Sequence, residues 1–183
     1  MKVLGVVGSP RKEGNTDTLV EEALKGAREA GRETEKIFLN DLRISPCQSV
    51  CTEYCEKTGD CKIKDDMSPI YARLYDSDPI LLGTPLYWYG PSAQLKAFID
   101  RWYAFSHSKF AERMRGKHLI LIAPFEETDS SAADGLVTMI EKTAKYLKCE
   151  FSDKLLVTAG PKGIVRQNQR AMEQAYNIGL RFK

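Results

Sequence analysis

Short apolar runs alternate with amphipathic helical patterns from one end of this chain to the other, and no other feature constrains the fold as much. The runs at 2–7, 35–39, 79–83, 119–123 and 155–158 are each bounded by glycine, proline or charge, as strands buried in a parallel sheet are. Between them, 16–30 sets Leu19, Val20, Ala23, Leu24 and Ala27 on one face before Gly31 stops it. The stretches 92–103, 132–147 and 167–180 repeat the helical spacing. Strand–helix–strand units in this series require right-handed crossovers. They predict an α/β fold, a doubly wound five-stranded parallel sheet with helices on both faces. With 183 residues, no repeat and no linker tract, a single domain over 1–183 is expected. The exception is 41–67, polar, aperiodic and carrying four of the five cysteines, which reads as a loop inserted after the second strand.

Charge and composition exclude several function classes. A 43% hydrophobic, 28% charged chain is neither disordered nor fibrous. A net charge of +2 from 27 basic and 25 acidic residues leaves no basic stripe for nucleic acid. The mildly basic tail with Lys162, Arg166, Arg170, Arg181 and Lys183 reads as a solvated helix face. Gly8-Ser9-Pro10-Arg11 interrupts the apolar start too early for a secretory signal. No run approaches the ~18 apolar residues of a membrane span. A soluble cytoplasmic protein without membrane or nucleic-acid partners is expected. Its clustered cysteines then read as metal-binding or redox-active before structural disulfides.

In open parallel sheets ligands bind beyond the carboxyl ends of the strands, which selects the loops 8–16, 84–91 and 124–129. The first is Gly8-Ser9-Pro10-Arg11-Lys12-Glu13-Gly14-Asn15-Thr16, with a helix following at once. Helix N-termini leave backbone N–H groups unpaired and carry partial positive charge, and small residues let a phosphate approach them. Ser9 and Thr16 can donate hydroxyl hydrogen bonds, Asn15 its amide, and Arg11 can pair with phosphate oxygens. Asn15 or Thr16 would also cap the helix. The loop has neither the Walker A ending nor the GxGxxG fingerprint. The second loop, Thr84-Pro85-Leu86-Tyr87-Trp88-Tyr89-Gly90, holds three aromatic residues beside prolines, a wall suited to a flat, partly apolar ligand. Phe125 and Glu126, in the third loop, are placed near a cofactor by topology alone.

Gly-Ser-Pro-Arg followed by Gly-Asn-Thr and an amphipathic helix resembles the NADPH-dependent FMN reductase and iron–sulfur flavoprotein families. The resemblance continues through Thr84 to Lys96 and Phe98-Ile99-Asp100-Arg101, reaching about residue 120. It implies a flavodoxin-like fold, FMN as cofactor and NAD(P)H as co-substrate. It sets Ser9, Arg11, Gly14, Asn15 and Thr16 at the FMN phosphate, and Thr84, Pro85, Leu86, Tyr87, Trp88 and Gly90 against the flavin. Lys96, Asp100 and Arg101 also match, and their helical spacing predicts a structural salt bridge. The cofactor would carry the chemistry, so no catalytic side chain is expected. The acceptor would be a quinone, a flavin or another small molecule. A homodimer or homotetramer is expected from the same resemblance.

Cys47, Cys51, Cys55 and Cys61 form C-x3-C-x3-C-x5-C, and four thiolates so close in sequence can bind a [4Fe–4S] cluster or zinc, or stay redox-active thiols. The flanking residues resemble the cysteine loop of iron–sulfur flavoproteins, whose C-x2-C-x2-C opening is one residue tighter in each gap. On a helix, Cys47, Cys51 and Cys55 would line one face rather than converge. An electron carrier relaying between FMN, a cluster and protein partners is therefore the alternative to a reductase, and a thiol switch on a partner interface is a third reading. Cys149 reads as a buried thiol, and His107 and His118 lack ligand spacing.

Overall fold

A computed structural model describes residues 2–49, 52–106 and 111–182. The described residues form strands β1 (Lys2–Val7), β2 (Glu33–Phe38), β3 (Ser77–Gly83), β4 (His118–Phe125) and β5 (Glu150–Thr158). Helices α1 (Asn15–Glu29), α2 (Thr52–Thr58), α3 (Ile70–Asp76), α4 (Ala93–Asp100), α5 (Tyr103–Ser106), α6 (Asp134–Tyr146) and α7 (Gln169–Leu180) lie between and after them. All strand pairs are parallel, in the order β2-β1-β3-β4-β5. This is the flavodoxin-like order, and the chain changes direction across the sheet between β1 and β3.

The interior strands are buried on both faces because their sequences are apolar throughout: from Leu119 to Phe125 every residue of β4 is buried. The edge strands differ. β5 alternates exposed and half-buried residues through Glu150, Ser152 and Lys154 before its apolar end. It therefore begins well before the expected 155–158, since an edge strand needs no continuous apolar run.

Two apolar layers cover the sheet. One contains Leu19, Val20, Leu24, Ala175 and Ile178, contributed by α1 and α7. The other contains Ile70, Leu74, Leu95, Phe98, Trp102, Phe105, Leu136 and Ile140, contributed by α3 to α6 and their junctions. At the α1–α7 contact, Gly26 meets the backbone of Tyr176 and Gly179 meets that of Ala23, and a β-carbon on either would collide with it. The helices there touch backbone to backbone.

Two expected elements are subdivided. The 92–103 helix ends at Asp100 and restarts as the short α5. The 41–67 loop contains α2, so Cys55 sits on a helix.

Candidate functional site

The carboxyl ends of β1, β3, β4 and β5 open onto one cleft of about 250 Å³. It gathers Ser9, Arg11, Gly14, Asn15, Thr16, Pro85, Leu86, Tyr87, Phe125 and Glu126, as expected from the sequence, and adds Pro124, Glu127, Ala159, Gly160 and Lys162. The last three follow β5. Their Ala-Gly-Pro-Lys-Gly sequence reads locally as an ordinary chain break, but a parallel sheet brings every strand's exit to the same edge. That is the signal that would have found them.

At the β1 exit, Ser9 is buried and its Oγ accepts from Arg11 N at 3.2 Å. Helix α1 is capped neither by Asn15 nor by Thr16. Gly14 is the N-cap residue, extended at φ −79° and ψ 179°, and it offers no side-chain acceptor. The first helical bond runs from Thr18 N to Gly14 O at 2.9 Å. The N–H groups of Asn15, Thr16 and Asp17 therefore precede the helical ladder. A β-carbon at Gly14 would lie 2.9 Å from Arg11 O, so this tight turn admits only glycine without a shift. Asp17 braces the loop, accepting from Glu13 N at 2.8 Å and pairing with Lys36 at 3.0 Å.

One serine ties this loop to the next. Ser92 Oγ donates to Gly8 O at 2.6 Å and accepts from Leu95 N, capping α4. Ser92 N in turn donates to Thr84 Oγ1 at 3.0 Å, and Gly8 N donates to Gly83 O at 2.7 Å. Thr84 is fully buried and outside the cleft lining, so its hydroxyl shapes the loop from within. Beyond it, Tyr87 and Gly90 exchange backbone hydrogen bonds at 2.9 and 3.0 Å around Trp88 (φ 49°) and Tyr89 (φ 63°). Positive φ at both central residues is the pattern of a type I′ turn, normally Asn-Gly. Trp88 and Gly90 do not line the cleft, and Trp88 is 96% exposed at the turn's tip.

On the opposite wall Phe125 is buried at the end of β4 and its carbonyl accepts from Ala159 N at 2.7 Å. Glu126 packs over Gly160, which a β-carbon would bring to 3.0 Å. Arg11 and Lys162 thus share the cleft with Glu126 and Glu127.

The three described cysteines of the sequence cluster are not drawn together. Cys47 is exposed, whereas Cys55 and Cys61 are buried in the apolar layer. Cys51 lies outside the described residues. Among the described residues no three His, Cys, Asp or Glu side chains converge on a metal position. These residues as placed do not fit a cluster. Instead the insertion is held by Arg101, whose guanidinium is fully buried. It donates to Asp65 at 2.8 and 3.2 Å, to Ser45 O at 2.8 Å and to Ile63 O at 3.1 Å. Burial opposes the Asp65 carboxylate, but Arg101 and the N–H groups of Ser45 and Met67 outweigh it and hold its carboxyl below the ordinary value. The expected helical salt bridge joins Lys96 to Asp100 at 2.5 Å, while Arg101 turns inward to the insertion. Cys149 is a buried thiol, pushed up to about 11 by desolvation. His107 lies outside the described residues.

An all-parallel sheet in this order, with a glycine-capped helix N-terminus facing an aromatic loop across the cleft, defines the flavodoxin-like class of α/β proteins. The family model for NADPH-dependent FMN reductase matches residues 1–178, and the chain belongs to that family. An iron–sulfur flavoprotein of Methanocaldococcus jannaschii is 48% identical over 101 residues, 55% of this chain and 51% of that protein. A second such protein, from Archaeoglobus fulgidus, is 33% identical over 123 residues, 67% of this chain and 55% of its own length. The chain thus spans little more than half the length of these archaeal relatives. A Bacillus subtilis protein named provisionally as an NAD(P)H-dependent FMN-containing oxidoreductase is 26% identical over 182 residues, covering 97% of this chain and 96% of that one. An NAD(P)H:quinone oxidoreductase from Methanothermobacter marburgensis shares the fold, with a TM-score of 0.80 at 17% identity over 100% of this chain and 96% of the other. No helix among the described residues is long and apolar enough to cross a membrane.

Proposed function

We propose that this chain is an FMN-dependent NAD(P)H oxidoreductase that reduces a quinone, a flavin or another small acceptor. The observation that carries the reading is the start of α1. The first turn has no side-chain cap, and its first residues, Asn15 and Thr16, line a cleft shared with Ser9, Arg11 and Lys162. That donor set suits a dianionic phosphate ester. Pro85, Leu86 and Tyr87 supply the apolar wall for a flat ring system, and buried Phe125 helps keep water from the floor. Bound there, FMN would supply the redox chemistry between NAD(P)H and the acceptor. The protein's own part is to hold the phosphate, orient the rings and exclude water, so no side chain is given an acid–base role.

At about 250 Å³ the cleft is below the ~300–1,000 Å³ usual for ligand pockets, so the rings would extend toward the aromatic turn. Trp88 at 96% and Tyr89 at 63% exposure would then be covered by a second copy, which supports a homodimer or homotetramer. A cytoplasmic setting agrees with buried Cys61 and Cys149 as free thiols. The electron-carrier alternative, with redox protein partners, requires Cys47, Cys51, Cys55 and Cys61 to gather around iron.

A visible spectrum of anaerobically purified protein, with iron and sulfide assayed on the same sample, tests both readings. Flavin bands, NAD(P)H oxidation and no iron are expected. About four irons per chain would replace the reductase with the electron carrier. No flavin, even after added FMN, would end the proposal.

A further inference from the structure

Asn15 matches the family pattern for phosphate contact, yet its side chain is engaged elsewhere. Nδ2 donates to Ala159 O at 3.1 Å and to Pro161 O at 3.0 Å, and Oδ1 accepts from Val165 N at 3.2 Å. An asparagine amide has only two N–H donors, and here both are occupied by carbonyls. Turning the amide over would set its oxygen against those two carbonyls and its nitrogen against the Val165 N–H, so the orientation is fixed by its partners. All three partners lie in the loop that follows β5, far from Asn15 in sequence. A second strap runs beside it, from Arg166 Nη2 to Glu13 O at 3.1 Å.

We propose that Asn15 is a positioning residue. It pins the 159–165 loop against the phosphate loop, and the anion is read by the backbone N–H groups at the start of α1 with Ser9, Arg11 and Thr16. The ends of the 159–165 loop are anchored, Ala159 by its N–H to Phe125 O and Val165 by burial in the α1–α7 layer, but its middle has fewer holds. Pro161 has no N–H, Gly163 is left-handed at φ 75°, and Pro161 and Lys162 are exposed. Yet this loop carries Ala159, Gly160 and Lys162 into the cleft wall. Without the pin the wall would recede and the cleft would widen for any flavin, phosphorylated or not. A residue touching the phosphate would instead matter only for the phosphorylated ligand. The inference rests on the FMN reading, and these two behaviours separate it from that reading.

The experiment is a titration of flavin-freed protein with FMN and with riboflavin, together with amide hydrogen exchange on the ligand-free chain. In Asn15→Ala both dissociation constants should rise together, by about tenfold, and their ratio should hold. In Thr16→Val, FMN affinity should fall while riboflavin affinity stays, so the ratio shrinks. Exchange at the Val165 amide should speed up in Asn15→Ala and stay at its wild-type rate in Thr16→Val. A shrinking ratio in Asn15→Ala with riboflavin unaffected, or an unchanged Val165 rate, would overturn the pin. If wild type bound neither flavin, the FMN reading would fall and the exchange rate alone would still decide the pin. Should Asn15→Ala not fold, Asn15→Ser keeps a small polar side chain too short to reach both carbonyls and carries the same expectations.

Discussion

Removing Asp65 should cost far more than removing Asp65 and Arg101 together. The Arg101 side chain is fully buried and that of Asp65 is 10% exposed. Their bidentate contact at 2.8 and 3.2 Å is backed by Asp65 accepting from Ser45 N at 2.9 Å and Met67 N at 3.1 Å. Asp65→Ala leaves a buried guanidinium whose Nε has no partner among the described residues, and deprives two backbone N–H groups of their acceptor. Breaking a buried pair in this way costs about 3–5 kcal/mol. Unfolding entropy of ~2.1 cal/mol/K per residue over 183 residues converts that to a melting point lower by about 8–13 °C. Replacing both, as Asp65→Leu with Arg101→Met, removes the charges and their desolvation cost together, and should leave a loss of only about 1–2 kcal/mol. Because the folded Asp65 carboxyl lies below its ordinary value, its contribution is full above about pH 4 and fades as pH falls through the folded value. Melts of wild type and Asp65→Asn should accordingly converge only in acid. Differential scanning calorimetry across pH measures all of this. A double variant less stable than Asp65→Ala, or a wild-type advantage that grows on acidification, would refute the reasoning.

Three further outcomes follow from the cleft. Replacing Trp88-Tyr89 with Asn-Gly should stabilise the chain by about 1–2 kcal/mol, since both residues occupy left-handed backbone; an unchanged melting point would show the turn is unstrained. Gly14→Ala should weaken FMN binding at least tenfold and also lower the melting point, because its β-carbon would press on Arg11 O at 2.9 Å; calorimetric titration reads the affinity. Thr84→Val should cost about 1–3 kcal/mol in a denaturant melt by orphaning the buried Ser92 N–H, while riboflavin and FMN affinities fall by equal factors.

Patterns carried by a single segment were legible in the sequence. The runs that became β1, β3 and β4 are apolar because both their faces are covered, and the exposed polar stripe of α1 marks its solvent side. The polar half of β5 was not legible, because an edge strand is specified by its neighbour β4 rather than by its own composition. In the site, the place of the 8–16 loop at the cleft was legible from its small residues and the helix after it. The partners of Asn15 and Thr84 were not, since residue type says what a side chain can bond and not which partner the fold brings to it. Arg101 shows the same limit. Its spacing fitted a salt bridge along the helix, and its partner came from the insertion.

The seam of glycines between α1 and α7 has a consequence for the order of events at the ribosome. The start of α1 lines the cleft, yet another face of this helix is completed by Gly179, and part of the cleft wall begins at Ala159. A nascent chain that has exposed the 8–16 loop and even the aromatic turn still lacks both this wall and the helix that packs on α1. A closed cleft therefore requires the segment from Ala159 to Gly179 to have emerged and docked on α1.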